Sequence, residues 1–296
     1  MKKILITGAN SFIGTNFRRI SKHQNIEEVS LKEHSPDEID FSQFEVVLHL
    51  AAIVHQSKKI EAEEYFYVNR DLCLRVAEQA KRAGVRQFIF LSSIKVYGRH
   101  SDDSGIWNED SACDPEDTYG MSKFEAELGL KKLESSDFTV SIVRTPIVYG
   151  PGVTANILKL IKLIKTSPVL PFRQVNNNRH YTYVVNLVGF IDRIIEKRAS
   201  GIFIAMDDKA LSTTELVMNL SHLLHRKPVL FRLPEFIIKA GVALMPDIFE
   251  RLYRSFYMDN AKTKSILDYS PPYSTAEGLS EMIFSDVNRK RNGDGF

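Results

Sequence analysis

Cysteine is scarce in this chain, with two in 296 residues, Cys73 and Cys113. They lie far apart and match no metal-ligand spacing, so a disulfide framework and a cysteine-built metal site are excluded and a reducing compartment is indicated. An excess of either charge is missing too. Lys plus Arg is 39 and Asp plus Glu is 37, a net charge of +2. A nucleic-acid-binding face would unbalance that count, so no nucleic-acid partner is expected. The short basic run Asn288–Arg291 reads as part of a solvated tail. No apolar run reaches the length of a membrane span. Ile4-Leu5-Ile6 stops at Thr7-Gly8, short of a signal-peptide core, and Phe236–Met245 is too short to cross a bilayer. The expectation is a cytoplasmic protein without stable membrane insertion. Phe236–Met245 is then expected in the core of a lobe, with a contact patch as the lesser reading. Internal repeats and low-complexity segments are absent.

Apolar residues make up 44% of the chain, enough for one large domain or a domain with a lobe. Lys3–Thr7 reads as a buried parallel strand. It runs into Gly8-Ala9-Asn10-Ser11-Phe12-Ile13-Gly14, which opens a helix through Phe17 and Ile20. A glycine turn between strand and helix leaves backbone N–H groups facing a pyrophosphate. Ser11 replaces the usual middle glycine. The second strand, Ile26–Leu31, ends without the acid that often binds a ribose diol. Lys32 stands there instead, suited to a 2′-phosphate or equally to lying as a solvated lysine on a loop. A third edge strand is expected at Ile39-Asp40-Phe41, where Asp40 is placed to accept from an adenine amino group. Val46–Leu50 follows and ends in Leu50-Ala51-Ala52, small enough to lie against a cofactor ribose. His49 in that strand reads as a core residue.

Glu63–Ala83 is predicted helical, and Asn69 inside it calls for a tertiary hydrogen bond to a neighbouring loop. Gln87–Leu91 is a strand with Ser92 and Ser93 at its carboxyl end, where open α/β sheets bind ligands. The polar stretch Arg99–Thr118 reads as a functional flap. A helix then carries Tyr119-Gly120-Met121-Ser122-Lys123, and Val140–Arg144 makes a further strand before Thr145-Pro146. Beyond Tyr149 the alternation weakens into helices and short strands. Tyr119 and Lys123, four residues apart, share one face of their helix. An ammonium one turn away favours a phenolate, and a tyrosine so tuned exchanges protons with a sugar hydroxyl or carbonyl.

Together, Gly8–Gly14, Leu50-Ala51-Ala52, Ser92–Gly98, Tyr119–Lys123 and Arg144–Gly152 resemble the extended short-chain dehydrogenase/reductase family of nucleotide-sugar epimerases, dehydratases and reductases. The resemblance implies an α/β fold, a Rossmann doubly wound parallel sheet with a smaller, mixed, mainly helical C-terminal lobe for the substrate. Residues 1–150 with about 180–205 would carry NADP or NAD, and 151–179 with 206–286 a UDP-sugar, leaving 287–296 as a tail; a homodimer is left open. Tyr119 is then the acid/base, Lys123 holds the nicotinamide ribose while lowering the tyrosine's pKa, and Ser93 bonds the sugar C4 oxygen. Gly8, Asn10, Ser11, Phe12, Ile13, Gly14, Lys32, Asp40, Phe41, Leu50, Ala51, Ala52, Ser92 and Pro146 join Tyr119 and Lys123 around the cofactor. Ser93, Lys95, Asn156, Arg179 and Arg251 fall to the substrate. Arg179 lies in Arg179-His180-Tyr181-Thr182-Tyr183-Val184, similar to the family segment whose arginine meets the diphosphate.

Departures narrow the activity. Ser93 is followed by Ile94-Lys95 rather than the Asp-Glu of the 4,6-dehydratases, and Ile147 stands where many relatives carry a sugar-binding asparagine. Ser92–Gly98, with Gly150-Pro151-Gly152-Val153 and Pro271-Pro272, resembles the branch that reduces UDP-4-keto-6-deoxy-N-acetylhexosamines at C4 for surface polysaccharides. A UDP-sugar 4-epimerase is the alternative. A non-catalytic NAD(P)-binding sensor would be expected to lack Ser93, Tyr119 or Lys123.

Overall fold

The computed structural model describes residues 2–54, 60–98, 105–153 and 156–291, the side chains of 156 and 286–291 excepted. Six parallel strands form the central sheet: β1 (Ile4–Thr7), β2 (Ile26–Val29), β3 (Val46–His49), β4 (Gln87–Ser93), β5 (Thr139–Thr145) and, after three short strands elsewhere, β9 (Gly201–Ile204). Their order is β2-β1-β3-β4-β5-β9, and each neighbouring pair is parallel. The chain leaves β1 in one direction and later fills the other side, so the order reverses beside β1. Ligands bind at such switch points, outside the carboxyl ends of the strands.

Strand side chains alternate between faces, and here both faces are buried. Ile4, Ile6, Val46, Leu48 and Ile89 join one core with helices α1 (Phe12–Ile20) and α6 (Val184–Lys197). Leu5, Val47, Phe88 and Phe90 join the other with α3 (Cys73–Arg82) and α4 (Thr118–Leu133). This two-faced burial is why the strands read as continuous apolar runs. A third core belongs to the lobe. It gathers Tyr149 and Tyr183 from the parallel pair β6 (Ile147–Tyr149) and β8 (Tyr181–Tyr183) with α5 (Asn156–Thr166), α7 (Thr213–Leu223) and α11 (Thr275–Arg291). Two-residue strands β7 (Val169–Leu170) and β10 (Val229–Leu230) pair at its edge.

Two expectations are corrected. Residues 36–43 form no strand but two 3₁₀ turns, Pro36–Glu38 and Phe41–Gln43. Asp40 accepts from the Ser42 backbone N–H at 3.1 Å, its hydroxyl at 2.6 Å and the Gln43 amide at 3.0 Å. Such local bonds compete with a ladder and make a turn. Val46–His49 is consequently the third strand, beside β1. The stretch Phe236–Met245 is also not lobe core. It forms α8 (Glu235–Leu244) leading into α9 (Pro246–Tyr253), and only Gly241 of α8 is buried.

Helix α2 (Ala62–Phe66) continues into a π-helical segment, Tyr67–Leu72, before α3. Asn69 sits within that segment, fully buried. Its amide binds both the N–H and the carbonyl of Ile53, at 2.8 and 3.0 Å, and the Ser122 hydroxyl at 3.0 Å. The predicted tertiary bond is therefore present. It pins the segment after β3 to α4, between Tyr119 and Lys123.

Candidate active site

At the carboxyl end of β1 the backbone turns through Gly8 at φ 96 and Asn10 at φ 60. A β-carbon on Gly8 would lie 2.8 Å from the Ala51 nitrogen, so only glycine lets this turn approach Leu50-Ala51-Ala52. Ser11 serves as the N-cap of α1 and accepts from the Gly14 N–H at 3.2 Å. The first-turn N–H groups of Phe12 and Ile13 have no intrahelical acceptor. They face the site beside the helix's positive end, an arrangement that suits a pyrophosphate. The residues present therefore fit a dinucleotide cofactor.

Across the sheet edge, β4 ends at Ser93, which caps a 3₁₀ turn, Ile94–Tyr97. Helix α4 begins alongside, capped by Asp117, whose carboxylate accepts from the Gly120 N–H at 2.7 Å. Asp117 also pairs with Lys95 at 2.8 Å, tying the turn to the helix start. A β-carbon on Gly120 would stand 2.7 Å from the Lys95 carbonyl oxygen. This close approach sets Tyr119 near Ser93, which draws its pKa down. The Ser122 hydroxyl donates to the Tyr119 carbonyl at 2.9 Å while receiving Asn69.

Electrostatics assign different charges to the pair. Burial pushes the Tyr119 hydroxyl up to about 12; Ser93 draws it down, while Asp117 and Tyr65 add to the rise. Burial lowers Lys123 to about 8, against the pull of Cys73 and Glu127. Its ammonium donates to the Leu91 carbonyl at 2.9 Å and lies 4.4 Å from the Phe90 ring centre. Lys123 is engaged by β4, and the groups acting on the Tyr119 hydroxyl are Ser93, Asp117 and Tyr65 rather than the lysine. His49 is core, as read: its Nδ1 lies 2.8 Å from the Thr7 hydroxyl and burial, then Lys123, lowers it to about 3.

Several candidate residues are placed elsewhere. Ser92 turns inward and donates to Glu127 at 2.5 Å. Glu127 also pairs with Arg144, at 3.1 and 2.6 Å, in a fully buried cluster. Sequence reasoning missed this cluster, because a helical glutamate and a strand arginine 17 residues apart carry no spacing signal. Lys95 is committed to Asp117, Asp40 to its own turn, and Phe41 to the core at 2% exposure. Lys32 is exposed beyond β2, and Pro146 is buried just past β5. Asn156 opens α5, and its side chain lies outside the described residues, as does Arg99–Ser104 of the flap. The rest of that flap is anchored: Trp107 bridges to Met258, and buried Glu109 accepts from Thr263. Arg179 donates to the carbonyls of Glu250 and Arg254, at 3.3 and 2.9 Å. Arg251 is partly desolvated beside Asp247 and Tyr181. Both guanidinium charges act on the buried Tyr181 hydroxyl.

The NAD dependent epimerase/dehydratase family matches residues 4–204, more than half of the chain. The chain belongs to that family. A UDP-glucose 4-epimerase of Vibrio cholerae is 33% identical, with 98% of this chain and 97% of that protein covered. Among solved structures, a UDP-glucuronic acid 4-epimerase from Bacillus cereus in complex with NAD superposes with a TM-score of 0.75 at 20% identity, covering 97% of this chain and 99% of that one. A dTDP-4-dehydrorhamnose reductase from Clostridium acetobutylicum gives 0.77 at 19%, with the same coverage. These two establish the fold, and the family is one of NAD-dependent sugar-modifying enzymes. The family match ends at β9.

Proposed function

We propose that this epimerase/dehydratase-family enzyme transfers hydride at C4 of a UDP-linked sugar, in the direction of reducing a 4-keto-6-deoxy-N-acetylhexosamine for surface polysaccharide synthesis. A bound reduced nicotinamide supplies the hydride. The protein's part is to hold the C4 oxygen at Ser93 and deliver a proton from Tyr119. The observation that carries this reading is the buried Tyr119 hydroxyl at the end of β4, pushed up to about 12 by burial and drawn down by Ser93. A phenol in that place can give its proton to a C4 oxygen gaining negative charge. Lys123 then orients the cofactor ribose, and Arg251 with Arg179 takes the diphosphate, where paired guanidinium donors suit phosphate oxygens. Ile94, which is buried, and Lys95 leave no carboxylate after Ser93 for a dehydration. NADP is the cofactor proposed, with Lys32, exposed just beyond β2, as the residue to pair with its 2′-phosphate.

The 4-epimerase reading has support of its own in the Vibrio cholerae relative. Mixing purified protein with NADPH and a UDP-4-keto-6-deoxy-N-acetylhexosamine distinguishes the two. Stoichiometric loss of NADPH absorbance with formation of the 4-hydroxy sugar supports reduction. Interconversion of UDP-N-acetylglucosamine and UDP-N-acetylgalactosamine without added nicotinamide supports epimerisation instead.

A further inference from the structure

Tyr119, Lys123 and Glu127 stand four residues apart along α4 and so share one of its faces. That face runs along the end of β4. Tyr119 lies near Ser93, Lys123 donates to the Leu91 carbonyl at 2.9 Å, and Glu127 accepts from the Ser92 hydroxyl at 2.5 Å. Successive strand residues point to opposite faces, so the bond that holds Ser92 inward also fixes which way Ser93 points. Arg144, the register partner of Ser92 on β5, clamps Glu127 at 3.1 and 2.6 Å. Its guanidinium also lies 4.6 Å from the ring centre of Tyr97, the last residue of the 3₁₀ turn that Ser93 caps. The cluster therefore grips the chain on both sides of Ser93, at Ser92 and at Tyr97.

A buried ion pair is often no more stabilising than apolar residues of the same volume, so stability alone does not account for these charges. The surroundings of Lys123 do. It is faced by Cys73 from α3, by His49 from β3 and by Glu127 from its own helix. Burial pushes the Cys73 thiol up to about 12, and burial with Lys123 lowers His49 to about 3, so both are neutral at physiological pH. The Glu127 carboxylate is the one anion of the three, and it favours the ammonium form that burial opposes.

We propose that Glu127 is a positioning residue of this active site, fixing Ser93 through Ser92 and holding the charge of Lys123. Its effect on turnover rests on the C4 reading above; its effect on Lys123 does not and is measured without substrate. The test is an NMR titration of protein carrying lysine labelled with carbon-13 at the ε position, with Lys123→Met identifying the resonance. The wild-type resonance titrates at about 8. Glu127→Gln, which keeps an acceptor for Ser92 but removes the charge, moves that midpoint down by about 1 or more. Because this variant strands Arg144, the pair Glu127→Gln, Arg144→Met takes its place if it does not fold, with the same shift expected. Ser92→Ala leaves the ion pair whole. It keeps the Lys123 titration and lowers kcat by about 10–10²-fold with KM unchanged, the upper figure being the cost of a displacement near 1 Å. An unmoved Lys123 midpoint in the Glu127 variants overturns the proposal, as does wild-type kcat in Ser92→Ala. A wild type inactive on every 4-keto and 4-hydroxy UDP-sugar, with the midpoint shift present, would overturn the C4 reading and support the hold of Glu127 on Lys123.

Discussion

Gly120 and Lys95 touch backbone to backbone: a β-carbon on the glycine would sit 2.7 Å from the lysine carbonyl oxygen. That contact, with the Lys95–Asp117 ion pair beside it at 2.8 Å, fixes the first turn of α4 against the end of β4. Tyr119 is the second residue after the cap, so its place relative to Ser93 is inherited from this contact. Gly120→Ala must push helix and turn apart. A displacement near 1 Å at a reacting group lowers turnover by about 10²-fold. Steady-state kinetics with unchanged NADPH affinity would show it, and wild-type turnover would detach the contact from catalysis.

Removing the hydroxyl itself is the sharper test of chemistry. Tyr119→Phe is expected to keep cofactor binding and lose about 10²–10⁴ in turnover, the range for a general acid. Near wild-type turnover would remove Tyr119 from the proton path.

Much of this site was legible before the fold was known, and for a physical reason. The glycine turn, Ser93 and the Tyr119–Lys123 pair are each set by neighbours within a few residues, so their spacing survives in the linear chain. Asn69 was legible too, because a buried amide in a helix demands a partner. What could not be read are pairings across the chain. Glu127 meets Arg144 and Ser92 only after α4 has packed on β4 and β5, and Lys123 finds the Leu91 carbonyl in the same step. The missing third strand has the opposite cause, since Asp40 satisfies its neighbours' donors locally where an apolar pattern suggested pairing. Phe236–Met245 misled because apolar composition records what a segment avoids, water, and not what covers it.

Lys123 gives the pH dependence. Burial lowers it to about 8 from an ordinary 10.5, so it loses its proton well below the usual lysine range. If its charge orients the bound cofactor, kcat/KM for reduction is flat through neutral pH and falls above about 8. A profile unbroken up to about 10, where an unperturbed lysine titrates, would contradict this.

His49 governs acid stability. It is held neutral at about 3 in the folded chain, against an ordinary 6.5, so the unfolded chain binds the extra proton between those values. Stability contributed by the neutral imidazole is present above pH 6.5 and is lost as pH falls from 6.5 towards about 3. His180, lowered to about 4, acts in the same sense. Thermal midpoints measured down that range should decline less steeply in His49→Gln than in the wild type. Equal slopes would show that other groups dominate.

The Glu127–Arg144 pair is fully buried, so breaking it leaves an uncompensated charge. Glu127→Gln is expected to cost about 3–5 kcal/mol, read from the denaturation midpoint in urea. A change below about 1 kcal/mol, the range of surface pairs, would mean that water reaches the site.

The central claim is that Tyr119, as a neutral phenol, protonates the C4 oxygen while added NADPH reduces that carbon. The most direct measurement is transfer from NADPH deuterated at the nicotinamide hydride position to a UDP-4-keto-6-deoxy-N-acetylhexosamine, with the product read by mass spectrometry. One deuterium at sugar C4 per turnover, lost with Tyr119→Phe, is the predicted result. A C4 epimer formed from a 4-hydroxy UDP-sugar without label, by protein carrying its own NAD, would contradict it.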